Sequence, residues 1–244
     1  STLVQADDAI ETYEGRRNRL AAALSEARRL GAELLAQLEA SRAPAATATA
    51  AGWVVIGLGA TSALLGIAFA LAQNDFKRLL AYCSVENVGV ILIGVGAALL
   101  AEANGDAAWG RLALAGALLH VWNHGAFKAL LFFSAGAVLH ATGTREMSKL
   151  GGLWRTMPWT AGLFALGAIA VSGLPPLNGF VSEWLVYLGL FDAVTGRGPA
   201  AWAAMPAAIM LAMTGAMAMA SFAKAGAMIF LGAPRTKPAA HAHE

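Results

Sequence analysis

The sequence predicts an all-α protein: a polytopic transmembrane helix bundle of five spans, one of them a broken helix, preceded by an N-terminal amphipathic helix. Three observations carry that reading. Only 13% of the 244 residues are charged and 58% are hydrophobic, whereas a soluble domain carries about 25% charged residues. Five apolar stretches are each long enough to cross a hydrocarbon core of about 30 Å, which takes about 20 helical residues. One of the five is too long for a single straight crossing and contains two consecutive prolines.

The charge is also unevenly placed. Six of the 17 Lys and Arg and seven of the 15 Asp and Glu fall in residues 1–50, so the remainder is membrane-like. This composition excludes a disordered chain, a disulfide scaffold (Cys83 is the single cysteine) and a secreted globular enzyme. A net charge of +2 supplies no basic field that would argue for nucleic acid. The first residue is serine and the first 50 residues lack the pattern of a signal peptide, so a fragment or a processed product is expected.

Three regions follow: residues 1–50 with an amphipathic helix and an Ala/Pro/Thr linker, residues 51–232 with the transmembrane spans, and a polar tail at 233–244. In the first, Leu20, Leu24, Ala27, Leu30, Leu34 and Leu38 recur every three or four positions among charged residues. Such a helix packs on a partner, lies on the bilayer surface or stays loosely ordered. Ser41 to Thr49, with Pro44 and small residues, reads as a linker.

Span one is Trp53 to Ala72, an uncharged run. Span two is Leu79 to Ala101 with Glu86 as its only charge, and span three is Leu112 to Leu139 with His120, His124 and Lys128 inside. The fourth stretch, Trp159 to Leu190, would measure about 48 Å as one helix. Pro175 and Pro176 remove two backbone donors and disfavour helix before each, so the stretch breaks in mid-membrane. The fifth, Ala200 to Leu231, contains Pro206 and Lys224. Alternating the loops places Lys77, Arg78, Arg145, Lys149, Arg155, Arg235 and Lys237 on one side and Arg111 and Arg197 on the other, which makes the first side cytoplasmic.

His120, His124 and Lys128 are spaced i, i+4, i+8, share one helix face and span about 12 Å of depth. A charged lysine at mid-span costs at least about 2.5 to 3.5 kcal/mol. A buried carboxylate, a hydrated cavity or loss of the proton would offset that cost. Plainer roles exist as well: a histidine can simply bond a neighbouring helix, and a lysine can snorkel to an interface. Two histidines at this spacing begin a metal site only with a third ligand, and none is evident, so no metal is expected. Glu183 lies just inside the second half of the broken helix, where exposed backbone faces protein or water. Glu86 with Asn87 follows the same logic. Lys77 and Arg78 read as loop charges with Asp75 near enough for an ion pair, and Lys224 reads equally as a buried relay or a snorkelling residue.

Three motifs in order carry a family resemblance. Asn74-Asp-Phe-Lys-Arg-Leu-Leu-Ala-Tyr-Cys-Ser84 resembles a D-x-K-R-x-L-A-Y-S motif, with Cys83 in place of serine. His120-Val-Trp-Asn-His124-Gly-Ala-Phe-Lys128-Ala-Leu-Leu-Phe resembles an H-x-x-x-H-x-x-F-K-x-L-L-F helix. Ser172-Gly-Leu-Pro-Pro-Leu-Asn-Gly-Phe-Val-Ser-Glu183 resembles a broken helix followed by a membrane acid or lysine. All three are similar to the proton-translocating antiporter-like subunits of complex I, multisubunit sodium/proton antiporters and membrane-bound hydrogenases. Ser84-Val-Glu-Asn-Val-Gly89 and His140-Ala-Thr-Gly-Thr144 most resemble the hydrogenase-4 and formate hydrogenlyase branch.

The resemblance covers about residues 53 to 235 and corresponds to the second of two inverted five-helix repeats. It implies that Lys128 is the central proton-carrying lysine, His120 and His124 its relay, and Glu183 the terminal group of a half-channel. It further implies a subunit in the inner (plasma) membrane that moves protons, driven by redox chemistry in other membrane subunits of a respiratory or hydrogenase complex. No cofactor is expected in the chain itself: one cysteine cannot hold an iron–sulfur cluster, and no Gly-rich nucleotide loop appears. Two alternatives stay open, a sodium/proton antiporter subunit without redox partners and a half-fold structural or assembly protein acting through residues 1–50.

Overall fold

The computed structural model describes residues 15, 18, 21, 22, 24–26, 28–33, 45–105, 107–195 and 199–244. The chain divides into two units, 1–45 and 46–244. In the first, positions 21, 22, 24–26 and 28–33 are helical. Arg29 pairs with Glu26 at 2.8 Å and Glu33 at 3.9 Å, the i, i+3 and i, i+4 spacings of one helix face. Leu24 and Leu30 of the apolar stripe are exposed. Leu20, Ala27, Leu34, Leu38 and the segment from Ser41 to Pro44 lie outside the described residues.

The second unit is built of helices. They are α1 (Ala45–Ala72), α2 (Phe76–Ala103), α3 (Ala107–Thr142), α4 (Pro158–Val171), α5 (Asn178–Thr195), α6 (Pro199–Phe230) and the short α7 (Lys237–Ala240), with a 3-10 turn at Met147–Lys149. The start of α1 corrects the linker expectation. Residues 45–49 form the first turns of α1, because alanine is the strongest helix former and a run of Ala and Thr after Pro44 offers nothing that stops a helix.

Large apolar side chains face outward along these helices: Leu58, Leu65 and Phe69 on α1, Trp122 and Phe133 on α3, and Trp159 on α4 are all exposed. Polar side chains are buried instead. A surface of that kind suits hydrocarbon and not water. Among the described residues, four helical segments are long and apolar enough to cross a bilayer alone, Thr47–Ala72, Phe76–Ala103, Ala108–Thr142 and Ala204–Phe230. The expected fourth stretch is divided between α4 and α5, and the 14 residues of α4 reach only about 21 Å.

The break has a clear backbone cause. Ser172 ends α4, Gly173 takes a φ of 62°, and Pro175 and Pro176 keep the chain out of helix until Asn178. A side chain on Gly179 would collide with the Ala170 carbonyl, so α5 restarts directly against the end of α4.

On the side where α1 meets α2, Asp75 caps α2 by accepting from the Arg78 backbone N–H at 3.1 Å. Its other oxygen receives Arg145 at 2.7 Å, so the ion pair reaches across to the loop after α3 and not to Lys77 or Arg78. Asn74 completes the seam: its carbonyl accepts from the Met147 N–H, and its side chain exchanges hydrogen bonds with Ser148. The 233–244 segment docks onto the bundle. Arg235 donates to the carbonyls of Met147, Leu150 and Met228, and Ala239 and Ala242 are buried in the larger core cluster.

Candidate functional site: a buried polar chain across α2, α3 and α5

Close helix approach creates the site. A Cβ on Gly116 of α3 would stand 2.7 Å from the Val186 nitrogen and 2.9 Å from the Ser182 carbonyl of α5, so only glycine lets the two backbones come this near. Four residues further along α3, on the same face, His120 then reaches α5. Its Nδ1 lies 2.9 Å from Ser182 Oγ, and its Nε2 lies 3.0 Å from Asn87 Oδ1 of α2. The ring is fully buried and ties three helices together.

Asn87 continues the chain. Its Nδ2 donates to the Cys83 carbonyl at 2.7 Å and to Glu86 Oε2 at 3.3 Å, with Glu86 itself buried. Glu86 is within electrostatic reach of both Lys128 and Glu183. Lys128 is 6% exposed and donates to the Leu80 carbonyl at 3.0 Å, the one acceptor found for it among the described residues. Two of its three N–H bonds are therefore open to a carboxylate or to water. None of the four ion pairs among the described residues involves Lys128, Glu86 or Glu183.

On the α5 side, Asn123 of α3 donates to the Asn178 carbonyl at 2.8 Å and to Ser182 Oγ at 3.1 Å, which pins the first turn of α5. The Glu183 carboxylate packs over Gly173, since a Cβ there would meet Glu183 Oε2 at 2.6 Å. Glu183 thus covers the break in the helix, and Tyr187 lies within its electrostatic reach. His124 is half-buried between His120 and Lys128 on α3, and its buried Nε2 has no hydrogen-bond partner among the described residues. Its ring meets Phe127 edge-on at 5.7 Å.

The geometry therefore gathers Glu86, His120, His124, Lys128 and Glu183 around one interior seam, with Pro175 and Pro176 forming the break beside it. No direct bond joins His120 to Lys128 among the described residues; α2 meets His120 through Asn87 and Lys128 through the Leu80 carbonyl. Lys224 stands elsewhere. Its ammonium donates to the carbonyls of Leu71 at 2.7 Å and Gln73 at 2.8 Å, closing the C-terminal end of α1. Asn123 and Ser182 complete the seam, and sequence reasoning passed over both. Their signal was spacing: Asn123 follows His120 by three positions, and Ser182 follows Asn178 by four and precedes Glu183. Among the described residues, no three His, Cys, Asp or Glu side chains gather closely enough to hold a metal ion.

Apolar helices facing outward, a broken helix and a buried chain of titratable and amide side chains define a polytopic membrane protein with a hydrogen-bonded polar interior. Residues 29–205 match the family described as NADH:quinone oxidoreductase/Mrp antiporter, TM, and the chain belongs to that family. It is similar to Hydrogenase-4 component B of Escherichia coli (strain K12), 45% identical over 79% of this chain and 29% of that protein. Similarity to Formate hydrogenlyase subunit 3 of the same organism is 41% over 78% of this chain and 32% of that one. The chain thus spans about a third of the length of these relatives. Its fold matches a chain in the structure of the Mrp complex from Dietzia sp. DQ12-45-1b with a TM-score of 0.66 and 26% identity, over 76% of this chain and 31% of the other.

Proposed function

We propose that the chain is the membrane-embedded ion path of a proton-translocating subunit in a membrane-bound hydrogenase or an NADH-quinone oxidoreductase-like complex. In this reading α4 and α5 together make one crossing, for five in all, and residues 51–232 form one antiporter-like repeat in the inner (plasma) membrane. The observation that carries it is the unbroken run of hydrogen bonds Ser182–His120–Asn87–Glu86 between the interior and the helix break, with Lys128 and Glu183 each within electrostatic reach of its end at Glu86.

Lys128 holds the mobile proton. With a single carbonyl as its acceptor, the stability of its charge depends on where the Glu86 charge and local water stand. His120 and His124 pass protons along α3, and Glu183 exchanges them at the break, where backbone polar groups admit water. Redox chemistry in other membrane subunits of the complex drives the charge movements, and the chain's similarity to Hydrogenase-4 component B and Formate hydrogenlyase subunit 3 supports that class of partner. A second reading, a sodium/proton antiporter subunit without redox partners, is favoured by the fold match to the Mrp complex.

The test is proton translocation by vesicles that contain the assembled complex at matched abundance. Lys128→Met deletes the proton carrier and keeps most of the side-chain length, and it is expected to lower translocation at least tenfold. Wild-type translocation by assembled Lys128→Met complex would overturn the proposal. Retained proton flux with the redox partners inhibited would favour the antiporter reading.

A further inference from the structure

The hydrogen bonds around His120 determine which of its nitrogens carries a proton. Asn87 must turn its Nδ2 toward the Cys83 carbonyl and the Glu86 carboxylate, because both are acceptors. Its Oδ1 therefore faces His120 Nε2, and that nitrogen must donate. The Nε2–H is fixed in both charge states, so a second proton enters or leaves the ring at Nδ1. Ser182 Oγ is the partner of that atom.

Ser182 has one hydroxyl hydrogen and three places to send it. Its Oγ lies 2.9 Å from His120 Nδ1, 2.9 Å from the Gly179 carbonyl and 3.2 Å from the Asn178 carbonyl, and it accepts from Asn123 Nδ2 at 3.1 Å. When the ring is neutral, Nδ1 is an acceptor and the hydroxyl must point at it. When the ring is charged, Nδ1–H donates to Oγ, and the hydroxyl hydrogen must turn to a carbonyl in the first turn of α5. Both side chains are fully buried, so no bulk water substitutes for either arrangement.

We propose that Ser182 is a positioning residue for proton transfer through His120, its hydroxyl switching between His120 Nδ1 and the Gly179 carbonyl as the ring loses and gains its second proton. The proposal rests on the proton-relay reading above and adds to it a gate on α5. Loading His120 places an extra hydrogen bond at the Gly179 carbonyl, in the first turn of the restarted helix and four residues before Glu183. The groups facing the switch are Asn87 and Glu86 from α2, Asn123 and His124 from α3, and Glu183 from α5. The switch needs a hydroxyl at position 182 and cannot run on a methyl group.

Two measurements test it, both on the complete complex in lipid. In the first, nitrogen-15 histidine spectra, with His120 assigned by its loss in His120→Gln, report the ring directly. The expected neutral ring is protonated at Nε2 and hydrogen-bonded at Nδ1. Ser182→Ala should move the Nδ1 signal toward that of a free imine nitrogen and leave Nε2 in place. An unprotonated Nε2, or an Nδ1 signal that Ser182→Ala leaves unmoved, overturns the proposal. In the second, translocation is measured at matched complex abundance for Ser182→Ala, His120→Gln and the double variant. Ser182→Ala is expected to lose at least tenfold, and the double variant no more than His120→Gln alone. Full translocation by Ser182→Ala, or a further tenfold loss in the double variant, overturns the switch. Wild-type translocation by His120→Gln would overturn the relay reading and the gate built on it, while the spectra would still decide the ring assignment on their own.

Discussion

Replacing Gly116 by alanine tests whether the α3–α5 approach is what holds the polar seam together. The added Cβ would stand 2.7 Å from the Val186 nitrogen, 2.8 Å from its Cγ2 and 2.9 Å from the Ser182 carbonyl. Carbon makes unstrained contact at about 3.5 Å, so α5 must retreat by about 0.7 Å or more. The 2.9 Å bond from His120 to Ser182 then opens to about 3.6 Å, beyond the range of a real hydrogen bond. Overpacking costs about 1 to 3 kcal/mol, and an unpaired buried polar nitrogen about 1 to 3 more. Gly125→Ala is the control, since a Cβ there on the same helix meets nothing within 4 Å. Helix propensity favours alanine by about 1 kcal/mol at both positions, so the difference between the variants isolates packing. The assay pairs thermal unfolding of the lipid-embedded protein with translocation per assembled complex. Gly116→Ala should unfold at a clearly lower temperature than Gly125→Ala and translocate at least tenfold more slowly. Equal behaviour of the two would refute the claim that this contact sets the seam.

Three further outcomes are expected. Lys224→Met should reduce thermal stability by about 1 to 3 kcal/mol through the loss of two charge-assisted bonds to the end of α1, whereas Lys224→Arg keeps donors there without a releasable proton; loss of translocation by Lys224→Arg at normal abundance would make this lysine a relay. Asp75→Ala removes a helix cap together with the partner of Arg145 and should cost about 1 to 2 kcal/mol, and Asp75→Asn, which retains the cap, under about 1; equal unfolding temperatures for the two would show that the cap contributes nothing. Single cysteines at the exposed positions Glu102 and Arg155, in a Cys83→Ser background, should label from opposite faces of sealed vesicles, with Arg155 on the cytoplasmic side; labelling from one face would contradict alternation through α3.

The membrane-spanning helices were legible because apolar length is a property of a contiguous stretch and needs no knowledge of neighbours. The break was legible for a similar reason: Pro175 and Pro176 act on their own backbone and on the residue before each. The start of α1 is less legible, because a run of small Ala and Thr suits a linker as well as a first helical turn. Contacts that join distant segments were out of reach. Asp75 finds Arg145 seventy positions away, although two cations stand within three residues of it. Ser182 and Asn123 do not stand out in the sequence because short neutral polar side chains are unremarkable on membrane helices, and only the packing of α3 on α5 brings them together. For Lys224, sequence placed a cation near the end of a helix, and only the fold shows that the carbonyls it meets belong to α1.

The clasp made by Arg235 also sets an order of events during biosynthesis. The loop between α3 and α4 draws its backbone partners from the far end of α6: Gly152 donates to Leu231, Leu153 to Ile229 and Trp154 to Phe230, while Thr236 donates to the Lys149 carbonyl. Until the ribosome has delivered residues 229–236, those loop amides have water as their partner. The helices that precede it can therefore enter the bilayer before that loop takes its final shape, and the arrival of α6 is the step that locks it. A chain stalled ahead of α6 would hold the preceding membrane segments yet leave this loop open to proteases, which makes the loop a built-in reporter of α6 insertion.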